Sequence, residues 1–278
     1  MKLEKIWAVY FSGTGTTRRT VERIAGGIAS RLNLPAESVD FSRPAVRQET
    51  LRFGEKDLVV FGTPVYAGRV PNVLLPFLWE RIVGGGALAV PVVLFGNRNY
   101  DDALIELRNI LAADGMHPIA AGAFVGEHSF SRVLGADRPN AEDEALMDEF
   151  AARVAALAAG LDAASVKSVA VRGQEPLRPY YTPRDRAGNP INILKVKPKT
   201  DLSRCGGCGL CADLCPMGSI DPADVSAVRG ICIKCCACVK GCPTGAKFFD
   251  DAGYLYHQHE LEAQYARPAE NEVFYIQL

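Results

Sequence analysis

The chain has almost no excess of charge: 31 lysines and arginines face 32 aspartates and glutamates, a net charge of −1 over 278 residues. A polyanion-binding surface is not implied, so nucleic acid is not an expected partner. No apolar run approaches the length needed to span a bilayer. The opening MKLEKIWAVYF is too short in apolar residues for the h-region of a secretory signal. A cytoplasmic protein is therefore expected. No cysteine precedes Cys205, and only four histidines occur. Disulfides are disfavoured in a reducing compartment. His117, His257 and His259 stand in no ligand-like pattern with the cysteines. The glycine-rich stretch near the N-terminus lacks the G-K-S/T of a Walker A, and Arg18 stands where G-x-G-x-x-G would place its third glycine. No DNA-binding or kinase-binding module is evident.

What is present is a cysteine code written twice. CGGCGLCADLCP carries Cys205, Cys208, Cys211 and Cys215 before Pro216. CIKCCACVKGCP carries Cys232, Cys235, Cys238 and Cys242 before Pro243. Both read C-x2-C-x2-C-x3-C-P, the spacing with which bacterial ferredoxins hold two 4Fe–4S clusters. Three cysteines at intervals of three can wrap one face of a cubane, and the fourth ligand must come from elsewhere. In two-cluster ferredoxins the fourth cysteine of each run crosses to the other cluster. One cluster is then assigned to Cys205, Cys208, Cys211 and Cys242, the other to Cys232, Cys235, Cys238 and Cys215. Zinc sites use paired C-x2-C units, often with histidine, rather than triplets closed by C-P. Cys236 stands outside the pattern, either as a small buried hydrophobe or as a spare thiolate able to replace Cys235.

The first ~160 residues alternate β-rich runs with helical patterns, as a parallel sheet covered on both faces requires. Strands are expected at Ile6–Phe11, Ser38–Phe41, Asp57–Gly62, Leu88–Phe95 and Ile119–Val125. Helices are expected at Thr16–Leu32, Pro71–Ile82, Asp101–Ala113 and Ala141–Ala159. The fold class is α/β: a doubly wound five-stranded sheet of order 2-1-3-4-5, followed by a small α+β unit. The expected divisions are 1–165 for the sheet domain, 166–200 for a proline-rich basic linker, 201–251 for the cysteine domain and 252–278 for an aromatic-rich tail packing on the body. Within the linker, INILKVK could add a short strand.

In a sheet of that order the ligand crevice lies at the carboxyl ends of strands 1 and 3. The loop FSGTGTT supplies Ser12, Thr14, Thr16 and Thr17 hydroxyls around Gly13 and Gly15, at the start of a helix. Hydroxyls and N–H groups there bind phosphate without a cation; the bland alternative is a Ser/Thr-rich cap. GTPVYAGRVPN contributes Pro64, Val65, Tyr66, Ala67 and Gly68. GNRNYDDAL contributes Gly96, Asn97, Arg98, Asn99 and Tyr100. Tyr66 and Tyr100 are candidates to stack on a planar ring, or else half-buried packing residues. Arg69 and Arg98 are candidate charges beside a reduced ring, or solvated surface cations. Glu127, His128 and Ser129 follow the fifth strand and could approach the ring edge or the cysteine unit. His128 is either a proton donor or a satisfied surface residue.

The phosphate loop resembles the S/T-x-T-G-x-T loop of flavodoxins. The whole chain resembles the flavodoxin–ferredoxin fusion proteins, sometimes labelled ferrodoxins, of anaerobic bacteria and archaea. The resemblance implies FMN in the N-terminal domain and two 4Fe–4S clusters in the C-terminal one. Redox proteins are the implied partners. An electron carrier is expected, with no catalytic residue; an FMN-dependent iron–sulfur oxidoreductase acting on a small molecule is the alternative. A sensor signalling through cluster loss is a third reading.

Overall fold

The computed structural model describes residues 2–161 and 167–277. The expected boundary at 165–166 lies outside them. Its first strands and helices are β1 (Lys5–Tyr10), α1 (Thr16–Leu32), β2 (Ala36–Asp40), β3 (Asp57–Pro64), α2 (Leu75–Arg81), β4 (Leu88–Phe95), α3 (Ala103–Ala113), β5 (Ala120–Val125) and α4 (Ala141–Gly160). The five strands are parallel and lie in the order 2-1-3-4-5. This is the doubly wound, flavodoxin-like order that the sequence pattern implies. Every residue of β4 and all but the end residues of β3 are buried. That burial explains their unbroken apolar sequences, because helices cover both faces of a parallel sheet.

The core has two halves, one on each face. On one side Val21, Ile24 and Ile28 of α1 meet Phe150 and Val154 of α4 over Val60 and Val90. Gly27 lets these helices approach, since a Cβ there would lie 2.9 Å from that of Ala151. On the other side Phe77 of α2 and Leu104, Leu107 and Leu111 of α3 cover Val59, Phe61 and Val93. The N-terminus of α4 is set by a capping box. Asn140 Oδ1 accepts from the Glu142 and Asp143 N–H groups, and Asp143 Oδ2 accepts from the Asn140 N–H.

Residues 167–198 run over this body without regular structure and are tied to it. Asp102, fully buried, accepts from the Gln174 and Arg178 N–H groups and pairs with the Arg178 guanidinium. Tyr180 Oη donates to Val70 O at 2.7 Å, and Tyr181 N donates to Ala67 O at 2.9 Å. INILKVK does not form a strand. Its Leu194 side chain points to solvent instead of into a sheet face.

The cysteine-rich part is built from β6 (Lys199–Thr200), α5 (Leu210–Asp213), α6 (Ala237–Lys240) and β7 (Lys247–Phe248), with β6 antiparallel to β7. The tail supplies α7 (Ala252–Gln264), capped by Asp251, and then β8 (Glu272–Tyr275). β8 pairs antiparallel with β5, Glu272 opposite Ala123 and Tyr275 opposite Ala120, so an antiparallel strand closes the β5 edge. No helix among the described residues is long and apolar enough to cross a membrane.

Candidate functional site

The N-terminus of α1 is shaped to receive an anion. Its N-cap is Gly15 at φ 89°, a left-handed conformation that favours glycine. Glycine offers no side-chain acceptor to the first turn, and only the Arg18 N–H is taken, by Ser12 Oγ at 3.2 Å. The open N–H groups and the positive end of the helix dipole face a hollow of about 70 Å³. Gly13, Thr14, Thr16 and Thr17 line it on that side; Pro64 at the end of β3, Val65 and Tyr66 after it, and Gly96 after β4 line it on others. Three separate loops thus converge as the strand order requires.

The same hollow has two walls that sequence reasoning weighted lightly or missed. One is the loop after β5, with Gly126, Glu127, His128 and Ser129. The other is Cys235, from the second cysteine run. A Cβ on Gly13 would lie 3.0 Å from Cys235 Cβ and 3.6 Å from its Sγ. The backbone of the loop before α1 and a cysteine of the second run are therefore in van der Waals contact.

Next to the hollow, and sharing Val65, Tyr66, His128 and Ser129 with it, lies a cavity of about 230 Å³. Ala67, Arg98 and Phe130 form part of its wall; Tyr181 and Pro183 of the linker, Ile233 and Lys234 of the second run, and His257 and Leu261 of α7 form the rest. Burial pushes the Tyr66 hydroxyl well up, and the neighbouring Cys235, Cys236 and Cys232 thiols add to it. His128 is pushed down to about 3 by burial first, and then by Lys240, His257 and Arg98. It is neutral at neutral pH. Its Nδ1 accepts from the Phe130 N–H at 3.1 Å, which leaves the proton on Nε2.

Several expected ring contacts are not made. Tyr100 does not line either void: its ring packs on Phe95 under the Arg172 guanidinium, and its hydroxyl donates to Glu272 at 2.7 Å. Asn97 turns to the tail, donating to Tyr265 O and Arg267 O and accepting from the Ala269 N–H. Asn99 accepts from the Asp101 N–H, and Gly68 packs on the Asp101 side chain. Arg69 forms a two-point ion pair with buried Glu106 and lies over Tyr180, away from the site. Tyr180, bonded to Val70, is likewise remote. The three loops reach the hollow, but Asn97 and Tyr100 turn away from it to bond the tail.

The cysteines fall into two groups. Cys215, from the first run, lines one small apolar cavity together with Cys232, Cys235 and Cys238 of the second. A cysteine of the first run thus lies beside three of the second. Burial raises the Cys235 and Cys238 thiols to about 12. Such thiols bind as thiolates only where a metal displaces the proton. The backbone N–H of Ser219 points at Cys215 Sγ (3.3 Å) and that of Ala246 at Cys242 Sγ (3.2 Å), the pattern of cluster-sulfur hydrogen bonds. On the outer side, Cys205, Cys211 and Cys242 are half-buried and Cys208 is exposed. The segment after Cys242 is fastened to the first run by β6–β7 pairing and by Arg204, which donates to Thr244 O. Among the described residues no three side chains close on a single metal-ion position; the inner thiols surround a hollow rather than a point. Cys236 also lines the inner cavity, and its Sγ lies 3.4 Å from Tyr254 Oη.

Comparison with known proteins gives a consistent picture. Residues 198–221 match the 4Fe-4S binding domain family, a match that covers the first cysteine run and not the second. No curated protein matches. Among solved structures, a flavodoxin from the domain Archaea is 17% identical, with a TM-score of 0.41 over 55% of this chain and 97% of its own. A short-chain flavodoxin associated with a PDU bacterial microcompartment is 17% identical, at 0.39 over 57% and 99%. A Fusobacterium nucleatum flavodoxin bound to flavin mononucleotide is 14% identical, at 0.37 over 55% and 97%. The fold class follows from the strand order itself. The chain joins an α/β unit of that order to a 4Fe–4S binding domain.

Proposed function

We propose that this protein transfers electrons between two 4Fe–4S clusters and one FMN held in the same chain. The observation that carries the reading is Cys235, which walls the hollow at the N-terminus of α1 and lines the inner thiol cavity too. One residue borders both candidate cofactor sites. Fusion of the two units keeps them at high effective concentration. FMN, when bound, supplies exchange between one- and two-electron transfer.

In this reading the first turn of α1, with Thr14, Thr16 and Thr17, holds the flavin phosphate, and Ser12 orders the loop through Arg18. Tyr66, Ala67, Arg98 and His128 border the ring in the larger cavity. Cys215, Cys232, Cys235 and Cys238 hold the inner cluster; Cys205, Cys208, Cys211 and Cys242 hold the outer one. Exposed Cys208 marks the outer group as the side open to redox protein partners. The domains are 1–165, 201–251 and the tail 252–278, with 166–200 strapping them together.

Pockets for drug-sized ligands begin at about 300 Å³. Adjoining voids of about 70 and 230 Å³ would leave little room for a second molecule beside one flavin. This favours a carrier over a small-molecule oxidoreductase. The oxidoreductase alternative rests on His128, a fixed neutral N–H donor on both voids. The test is anaerobic reconstitution of the full chain, with iron, sulfide and FMN counted, followed by stopped-flow reduction. Two clusters and one FMN per chain, equilibrating faster than any partner accepts electrons, are expected. Zinc in place of iron, no uptake of FMN, or separate titration of the cofactors without internal transfer would sink the reading.

A further inference from the structure

The cations around the larger cavity are unequally neutralised. Arg98 is ion-paired with Asp101 and lies 4.7 Å over the Tyr181 ring. Lys234 enters from the second cysteine run and is only 9% exposed. Its Nζ donates to Cys232 O at 2.8 Å and Leu194 O at 3.0 Å. Among the described residues no carboxylate forms an ion pair with it, and no Asp or Glu lines the cavity. The other polar side chains there include only His128 and His257, besides Ser129 and the tyrosines.

The backbone of Lys234 adds a second observation. Its φ is 56°, a conformation costly to a side chain with a Cβ. The two runs align Lys234 with Gly207, which takes φ 69°. The first run uses glycine at this turn; the second holds a lysine there against its backbone preference. Strain of this kind persists where a side chain is needed.

We propose that Lys234 is the fixed positive charge that stabilises reduced flavin in this cavity. The inference deepens the flavin reading above and rests on it. Reduction adds electrons to the ring, and a poorly solvated ammonium favours the more negative state. Each electron gained by the flavin is one lost by the inner cluster, and any proton taken up comes from water. Lys234 joins the cluster loop to the flavin cavity, so the charge that favours the flavin's electron is delivered by the cluster's own ligand run.

The test is a spectroelectrochemical titration of the reconstituted full chain. Lys234→Gly copies the residue of the first run and removes the charge without straining the turn. It is expected to shift the oxidised–reduced flavin equilibrium about tenfold or more toward the oxidised form, a fall of ~30 mV for the two-electron couple. Lys234→Arg is expected to keep the wild-type potential. Arg98→Gln, which removes a charge already paired with Asp101, is expected to shift it less than Lys234→Gly. An unchanged flavin potential in Lys234→Gly with full FMN and iron overturns the inference, as does a shift confined to the cluster signal or an equal shift in Arg98→Gln. If Lys234→Gly loses iron, Leu194→Glu decides, because that side chain is 79% exposed and its replacement leaves the core alone. A carboxylate there should lower the flavin potential relative to Leu194→Gln, and equal potentials overturn the inference. A wild-type chain that takes up no FMN fails earlier, and overturns the flavin reading itself.

Discussion

Cys236 shows how much one residue's backbone can say. Its φ is 59°, and it aligns with Gly209 of the first run at φ 74°; each caps a short helix, α6 and α5. The extra cysteine therefore occupies a turn position that suits glycine, not a ligand position of the run. Burial raises its thiol to about 12, and it sits against Tyr254. Cys236→Gly should keep both clusters. Relief of the left-handed strain, about 1 kcal/mol, offsets much of the lost packing, so the urea midpoint should move little. Iron content measured beside the midpoint checks this. A drop to one cluster would show that Cys236 ligates. Gly13 is the complementary case, a glycine demanded by space: Gly13→Ala places a methyl 3.0 Å from Cys235 Cβ. Slower cluster–flavin equilibration in stopped flow is expected there, with both cofactors retained.

At the scale of elements, two contacts decide how the C-terminal part meets the sheet. Lys240, at the end of α6, pairs with Glu127 and donates to His128 O at 2.6 Å and Ser131 O at 2.8 Å. It fastens the second run to the loop that walls the candidate flavin site. Lys240→Met should cost about 2–3 kcal/mol, because it leaves partly buried acceptors and a carboxylate without their partner. It should also weaken FMN binding, read as a raised Kd in flavin fluorescence. The second contact is β8. Phe274 packs against the α2–α3 side of the core and Tyr275 against Phe150 on the other. Phe274→Ala should lower stability by roughly 1.5–2 kcal/mol, about half the cost for a fully buried ring. Urea unfolding gives the value.

Over the whole molecule, two half-buried titratable groups set opposing pH slopes. Burial lifts Asp114 from 3.8 to about 7, and one of its oxygens has no hydrogen-bond partner. The folded chain keeps a proton there that the unfolded chain releases, so this contribution to stability falls as pH rises from about 4 to 7. His128 works the other way. With its folded value near 3 against 6.5 unfolded, the unfolded chain gains a proton first, and stability falls as pH drops from about 6.5 toward 3. Asp114→Asn should raise the Tm at pH 8 and leave it unchanged at pH 4. His128→Gln should flatten the acid limb. Thermal melts across pH 4–8 test both. Much of this architecture was legible in the residues. The paired cysteine runs, the apolar β3 and β4, and the three glycine-rich loops are local patterns whose chemistry or periodicity is complete within a short window. The tail strand, the inward turn of Tyr100 and Asn97, and the pairing of Arg69 with Glu106 were not, because each depends on a partner distant in sequence. Cysteine spacing determined an iron–sulfur unit, and apolar periodicity the doubly wound sheet joined to it. Only tertiary packing decided that Cys235 borders the loop before α1 and that, among the described residues, Lys234 meets no carboxylate in the cavity, since contacts between units depend on how their surfaces meet, which no local window encodes.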